Sequence, residues 1–288
     1  MKKSNNPLLY PLSWLYGLGV GLRNFLFNQG ILKQQSYPIP LICVGNITVG
    51  GTGKTPHVEL LISILRKQYR IAVISRGYKR KSRGLREVTL TSTAEEVGDE
   101  PKQIKQKYPE VRFVVDGNRR RAMRYLLALP EEERPEVVLL DDGFQHRYVQ
   151  PSFTILLIDA QRELHDDELL PLGGLREPAT ARYRADCIVL TKCPHDMQPI
   201  KLRIMQRNLD LYAHQEIFFS RIHYQHPCAV RTLLGEAGSP LPKDALVIAL
   251  SGIASPGLFF SYLAERYELI DQLVYPDHHQ FRRKDFTA

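Results

Sequence analysis

The sequence predicts an α/β protein: a mostly parallel sheet with helices on both faces, joined through a linker to a smaller C-terminal α/β unit. Apolar runs of strand length recur at 41–44, 71–75, 113–115, 137–140, 153–158 and 187–190. They are solid rather than alternating, as strands covered on both faces are. Stretches with helical spacing separate several of them, notably 57–67 and 118–129, and that alternation builds parallel sheets. The 288 residues are 43% apolar and 24% charged, an ordinary globular composition with no repeat or low-complexity tract.

The first element carries no charge over residues 7–22 and includes Leu8, Leu12, Trp14, Leu15, Leu18 and Leu22. Pro11 and three glycines make it too short and interrupted for a spanning helix, and no small-residue cleavage site follows it. Lys2 and Lys3 precede it, Arg23 follows, and Tyr10, Trp14 and Tyr16 supply interfacial rings. Residues 1–30 therefore read as a helical segment lying on an anionic membrane surface, with packing against the domain as the alternative.

The run 41–44 leads into Val-Gly-Asn-Ile-Thr-Val-Gly-Gly-Thr-Gly-Lys-Thr, ending at Thr55. Gly50, Gly51, Thr52 and Gly53 form a loop whose backbone N–H groups cradle phosphates. Lys54 reaches the outer phosphates, and the Thr55 hydroxyl suits Mg²⁺. Thr48 stands where the usual pattern has its first glycine. Val58, Leu61, Ile62 and Leu65 then recur at i, i+3, i+4 and i+7, with Pro56 in the first turn. Strand, loop and helix together predict a P-loop that binds a nucleoside triphosphate.

Arg76, Lys79, Arg80, Lys81, Arg83 and Arg86 follow the next strand and hold much of the formal charge of +8. This balance calls for an acidic partner or anionic surface. No aromatic-interleaved basic stripe accompanies it, so nucleic acid is not the expected partner. Asp99 and Glu100 sit between Gly98 and Pro101, which reads as a rigid loop, and Asp99 is the candidate base for an acceptor hydroxyl. Arg119 lies on a polar loop before the 118–129 helix. The run 137–140 ends in Asp141, Asp142 and Gly143, carboxylates placed to hold Mg²⁺ opposite Thr55. Gln145, His146 and Arg147 follow and reach toward the same cleft. Arg176 closes a glycine- and proline-controlled loop, and either it or Arg119 suits the γ-phosphate. Arg76 is a further anion clamp.

After the run 187–190 come Thr191, Lys192, Cys193 and Pro194. Guanine-specific proteins carry Asn/Thr-Lys-x-Asp there, and Pro194 takes the place of the Asp. A regulatory or metal-chaperone GTPase is the alternative reading. Cys43, Cys187, Cys193 and Cys228 form no Cys-x-x-Cys pair and read as reduced residues. Residues 216–223 read as a strand, 227–242 are turn-rich, 245–250 is a fresh buried strand and 257–267 a helix. The expected division is a P-loop domain at 31–216, a linker at 217–243 and the smaller unit at 244–288. Asp277, His278 and His279 are its concentration of titratable groups, suited to tuning a base.

Taken in order, V-G-N-I-T-V-G-G-T-G-K-T-P, S-R-G-Y, G-D-E-P, L-L-D-D-G-F-Q-H-R, L-L-P-L-G-G-L-R-E-P and P-D-H-H resemble the tetraacyldisaccharide 4'-kinases of lipid A biosynthesis. The atypical loop with Thr48 belongs to that pattern. The resemblance implies ATP- and Mg²⁺-dependent phosphorylation of the 4'-hydroxyl of a tetraacylated glucosamine disaccharide 1-phosphate. It implies a place at the cytoplasmic face of the bacterial inner membrane, with no obligate protein partner evident. By the same resemblance Lys54 and Thr55 serve ATP and Mg²⁺, Asp141 and Asp142 the metal, and Asp99 acts as base with His278 as its dyad partner. Arg176 and Glu177 lie at the site, and Arg76, Glu100, Arg119 and His146 join Glu177 in facing substrate. Members of the family continue past Pro-Asp-His-His into a Thr-Thr-Glu-Lys-Asp-like segment. The smaller unit is therefore expected to be incomplete in a chain ending at Ala288.

Overall fold

The computed structural model describes residues 7–162, 164–194, 196–225, 227, 241–253, 256–277, 279, 281, 282 and 285. They form two compact units that divide between Arg221 and Ile222. The first unit opens with helix α1 (Leu9–Asn28) and strand β1 (Leu41–Gly45). It continues through α2 (Lys54–Leu65), β2 (Ile71–Ser75), β3 (Arg86–Glu87), α3 (Ala94–Val97) and α4 (Asp99–Lys107). β4 (Arg112–Val115), α5 (Arg119–Leu127), β5 (Val137–Asp141), β6 (Phe153–Asp159), β7 (Cys187–Thr191), α6 (Pro199–Asn208) and β8 (Glu216–Phe219) complete it.

These strands make one sheet in the order β3-β4-β2-β5-β1-β6-β7-β8, parallel throughout except for the two-residue β3, which runs antiparallel to β4. Alternate side chains of the inner strands go to opposite faces. Val73, Phe113 and Leu139 pack with Val58 and Ile62 of α2 and Ile104 of α4. Ala72, Ile74, Val138 and Leu140 pack with Ala122, Met123 and Leu126 of α5. The solid apolar runs are thus explained: each strand is covered twice. Cys43, Cys187 and Cys193 are buried free thiols, and Cys228 lies outside the described residues.

Two features differ from the sequence reading. Residues 217–219, assigned to a linker, belong to β8, which pairs with β7 in parallel register from Cys187↔Glu216 to Leu190↔Phe219. The backbone groups along that edge of β7 take a strand partner, so the large unit extends past 216. Gly98 to Pro101 is not a loop either. Gly98 has φ of +97°, which ends α3 and caps α4, so Asp99 and Glu100 fill the first turn of a helix with Pro101. Proline is tolerated in a first turn because its missing N–H has no intrahelical partner there.

Helix α1 is fastened mainly by polar bonds, with Phe27 as its one buried large apolar side chain, packed against Tyr148. Ser13 Oγ donates to the Leu169 carbonyl at 2.8 Å, Tyr16 Oη to the Arg176 carbonyl at 2.8 Å, and Asn24 Nδ2 to Glu177 at 2.9 Å. Arg23 donates to the Gln145 carbonyl at 2.7 Å. Trp14, Leu15, Leu18, Leu22 and Phe25 remain exposed. No helix among the described residues is long and apolar enough to cross a membrane.

The second unit contains the parallel pair β9 (Leu246–Ser251) and β10 (Glu268–Val274), connected by α7 (Gly257–Ala264). Ala249, Phe260, Leu263 and Tyr267 form its core. His279 Nε2 stands 3.0 Å from Asp285 Oδ2. His278 lies outside the described residues.

Glu177 is buried and bonded to Arg184 at 2.7 and 3.1 Å as well as to Asn24. Removing one partner of a buried pair leaves an uncompensated charge. The Glu177→Ala protein is expected to lose about 3 kcal/mol of stability, the low end for such pairs because Arg184 is partly exposed; urea titration of both proteins measures the difference.

Candidate active site

β1 and β5 lie side by side with Val44 opposite Asp141. That register sets the start of the glycine loop beside the carboxylates that end β5, at the carboxyl edge where α/β sheets hold ligands. Gly53 takes φ of +84° to turn the loop into α2, which begins at Lys54. The unsatisfied N–H groups of this first turn and the positive end of the helix dipole face whatever the loop surrounds.

Charged side chains converge there. Arg176 meets Asp142 with two bonds of 3.2 Å, and Lys54 Nζ stands 3.7 Å from the same carboxylate. Asp142 itself occupies the left-handed region with φ of +50°, which aspartate tolerates better than most residues. Burial by itself would raise its pKa, but Lys54 and Arg176 outweigh burial and hold the carboxyl below its ordinary value. Its neighbour behaves oppositely. Burial, then the charges of Glu100 and Asp142, push Asp141 up to about 6, against an opposing hydrogen bond from Ser75.

Glu100 accepts from Thr55 Oγ1 at 2.9 Å, so the first turn of α4 touches the first turn of α2. Asp99 lies beside it, exposed, with Oδ1 accepting from the Glu100 N–H at 2.9 Å. Arg119 is buried, donates to the Asp116 carbonyl at 2.8 Å, and leaves its Nε without a partner. His146 is partly buried with an unpartnered Nε2, and its pKa falls to about 4 through burial and then the charges of Arg119, Arg23, Arg120 and Arg76. It is neutral at pH 7. Arg76 is exposed just past β2. Of the basic run, Arg80 donates to the carbonyls of Val115 and Gly84, and Lys81 pairs with Glu95 at 2.9 Å. The Arg80 charge is held by backbone carbonyls of the fold, whereas the Lys81 pair lies on the surface. Glu177 is likewise not presented to a ligand, because both its oxygens are taken by Arg184 and Asn24.

Two residues missed by motif reading hold the loop. Asn46, fully buried, donates from Nδ2 to Thr52 Oγ1 at 2.7 Å and accepts from Arg176 through Oδ1. Thr191 Oγ1 donates to the Thr52 carbonyl at 3.0 Å. A polar Asn one residue past a buried strand was the available signal for the first. Lys192, next to Thr191, is tied to Asp159 at 2.7 Å.

Among the described residues no three His, Cys, Asp or Glu side chains form a ready-made metal cage. The oxygen groups gathered at the loop are the Thr55 hydroxyl and the Asp141 and Asp142 carboxylates, with Glu100 bonded to Thr55. An all-oxygen set that leaves positions for phosphate and water fits Mg²⁺. The raised pKa of Asp141 marks the same deficit of positive charge.

For an unfolded aspartate near 3.9, a folded value of about 6 means that the folded state holds the extra proton. This contribution favours the fold below about pH 4 and is lost as pH rises through about 6. In chelator-treated buffer the Asp141→Asn protein is therefore expected to melt above the parent at pH 7, with the gap closing toward pH 4. Scanning calorimetry at the two pH values checks it, and equal melting at both contradicts the assignment.

The sequence profile of the tetraacyldisaccharide-1-P 4'-kinase family matches residues 5–288. A tetraacyldisaccharide 4'-kinase of Porphyromonas gingivalis is 51% identical over 280 residues, covering 97% of this chain and 78% of the relative. One from Parabacteroides distasonis is 48% identical over 287 residues, covering 97% and 76%. A crystal structure described as the "apo" form of LpxK from Aquifex aeolicus in complex with ATP superposes with a TM-score of 0.73 at 34% identity, covering 93% of this chain and 81% of that one.

Proposed function

Because the chain belongs to the tetraacyldisaccharide 4'-kinase family, we propose that it transfers the γ-phosphoryl group of ATP to the 4'-hydroxyl of a tetraacylated glucosamine disaccharide 1-phosphate, the lipid A precursor. One observation carries this reading: Lys54, Arg176 and Asp142 meet at the mouth of the loop between β1 and α2. A loop with its lysine alone binds phosphate. An added arginine and strand-end carboxylates make a site for phosphoryl transfer.

The loop N–H groups and Lys54 bind the triphosphate and draw charge off its outer oxygens. Thr55, Asp142 and Asp141 would hold Mg²⁺, which would supply neutralisation of phosphate charge. Arg176, already aimed at Asp142, offsets the charge gathering on the equatorial oxygens as the γ-phosphorus leaves the bridging oxygen of ADP. The acceptor 4'-oxygen forms the new bond and releases its proton to Asp99. In a loose transition state that proton becomes acidic late, so Asp99 also positions the hydroxyl. His278 is the proposed partner of Asp99. Arg76 and neutral His146 are the proposed contacts to the anionic acceptor, with buried Arg119 a fixed charge behind the carboxylates. Pro194 offers no carboxylate to read guanine, in keeping with ATP.

We place the protein at the cytoplasmic face of the inner membrane, held by the outward apolar side chains of α1 and by anionic headgroups. α1 also anchors the loop of Arg176, so deleting it would disturb the site. Substitution is cleaner. A Trp14→Ser/Leu18→Ser/Leu22→Ser protein is expected to float with anionic liposomes several-fold less than the parent while its ATP affinity is unchanged; equal flotation would leave this face without a membrane role.

Incubation with the tetraacyl disaccharide 1-phosphate, ATP and Mg²⁺, scored by the mass of one added phosphate, tests the reaction. In that assay Asp99→Ala is expected to lower kcat by about 10²–10⁴-fold with ATP affinity retained, since a base acts in the chemical step. His278→Ala should lower it less. A defect confined to ATP affinity would remove Asp99 from the role of base.

A further inference from the structure

The phosphate loop and the catalytic arginine are joined through one neutral side chain. Asn46 is fully buried at the end of β1, and both polar ends of its amide are engaged: Nδ2 donates to Thr52 Oγ1 at 2.7 Å, and Oδ1 accepts from the Arg176 guanidinium. Its carbonyl accepts from Gln145 Nε2 at 2.7 Å, which fixes the residue itself. Arg176 makes further contacts with the same loop, through its N–H to the Ile47 carbonyl at 2.7 Å and through Nε to the Thr48 carbonyl at 3.2 Å. The first holds the backbone of Arg176. Its fork is directed from the loop by the Nε contact and by Asn46, and from the other side by Asp142.

We propose that Asn46 is a positioning residue for phosphoryl transfer, locking the Arg176 guanidinium to the phosphate loop so that both address one phosphoryl group in fixed register. The proposal rests on the reading of Arg176 as the arginine that faces the γ-phosphate. The chemistry of an amide suits this task. Arg176 has two oxygen partners at its tip, the Asp142 carboxylate and the Asn46 amide. A carboxylate holds a guanidinium but cancels its charge, whereas a neutral carbonyl fixes its direction and leaves the charge for phosphate. The same amide also supplies a donor to Thr52, which an aspartate lacks. Thr52, gripped at its hydroxyl by Asn46 and at its carbonyl by Thr191, becomes the fixed point of the loop.

The test is a double-mutant cycle on the full chain, with kcat, ATP affinity by calorimetry and melting temperature measured for Asn46→Ala, Arg176→Ala and the double variant. Arg176→Ala is expected to lower kcat by about 10²–10³-fold. Asn46→Ala should lower it by up to about 10²-fold, the penalty of a misplaced group, with ATP affinity changed far less. The double variant should be no slower than Arg176→Ala alone, because Asn46 acts through that arginine. Losses that multiply in the double variant, or an unchanged kcat in Asn46→Ala, overturn the proposal. A normal kcat in Arg176→Ala would instead overturn the role of Arg176. If Asn46→Ala melts below the assay temperature, Asn46→Ser, which keeps a hydroxyl in the buried space but is too short to span it, carries the same cycle.

Discussion

The parallel pairing of β1 with β5 sets everything at the site. With Val44 opposite Asp141, the glycine loop and the strand-end carboxylates start one strand spacing apart, roughly 5 Å. No linker length or loop chemistry could reproduce that proximity from separate elements. Its consequence is electrostatic crowding. Asp141 and Asp142 are adjacent in sequence yet shift in opposite directions, because Lys54 and Arg176 both touch Asp142 while Asp141 lies buried with Glu100 as its strongest charged neighbour. Asp142 is therefore an ionised anchor for the cations of the site. Asp141 is the group that gains most from added positive charge.

Helix α1 inverts the usual arrangement of an amphipathic surface helix. Its polar side chains point inward to Leu169, Arg176 and Glu177, and its large apolar ones point outward except for buried Phe27. An apolar face of this kind is unfavourable in water and favourable against an apolar phase. The loop from Leu169 to Glu177 receives both the inward polar bonds of α1 and the pairing with the phosphate loop, Thr48 opposite Leu175. The hydrophobic surface and the proposed catalytic arginine are thus two sides of one loop.

Much of this was legible in the residues. β1, the loop, α2 and β5 combine a motif with strong periodicity, and both signals are local. α4 escaped because its sequence is largely polar, with only Pro101 and Ile104 buried, and because Gly98 and Pro101 resemble loop punctuation when their job is to cap and start a helix. β8 was visible as a strand, but membership of a sheet is a nonlocal property that four residues cannot announce. Glu177 was read with Arg176 because they are adjacent in a motif. The chain bends at both residues, and Glu177 turns back to Arg184 and α1 while Arg176 faces the phosphate loop. Asn46 lay inside the quoted motif, yet nothing in the motif chemistry distinguishes a residue that binds phosphate from one that holds the binder in place.

The two arginines that the sequence offered for the γ-phosphate are separated by their surroundings. Arg119 is 3% exposed and held by the Asp116 carbonyl, so it acts on the site as a fixed charge behind the carboxylates, where it helps keep Asp142 ionised. Arg176 is partly exposed, with its fork on Asp142 and Asn46. A transferring phosphoryl group needs a guanidinium that it can reach, and reach favours Arg176. Burial first, and then the same crowd of arginines, keep His146 neutral. Another positive charge among Arg23, Arg76, Arg119 and Arg120 would be repelled by all four, so the ring with its pKa near 4 remains an uncharged hydrogen-bonding group beside them. In the proposed reaction such a neutral ring would orient a polar acceptor without competing with the phosphates for the charge of Lys54 and Arg176.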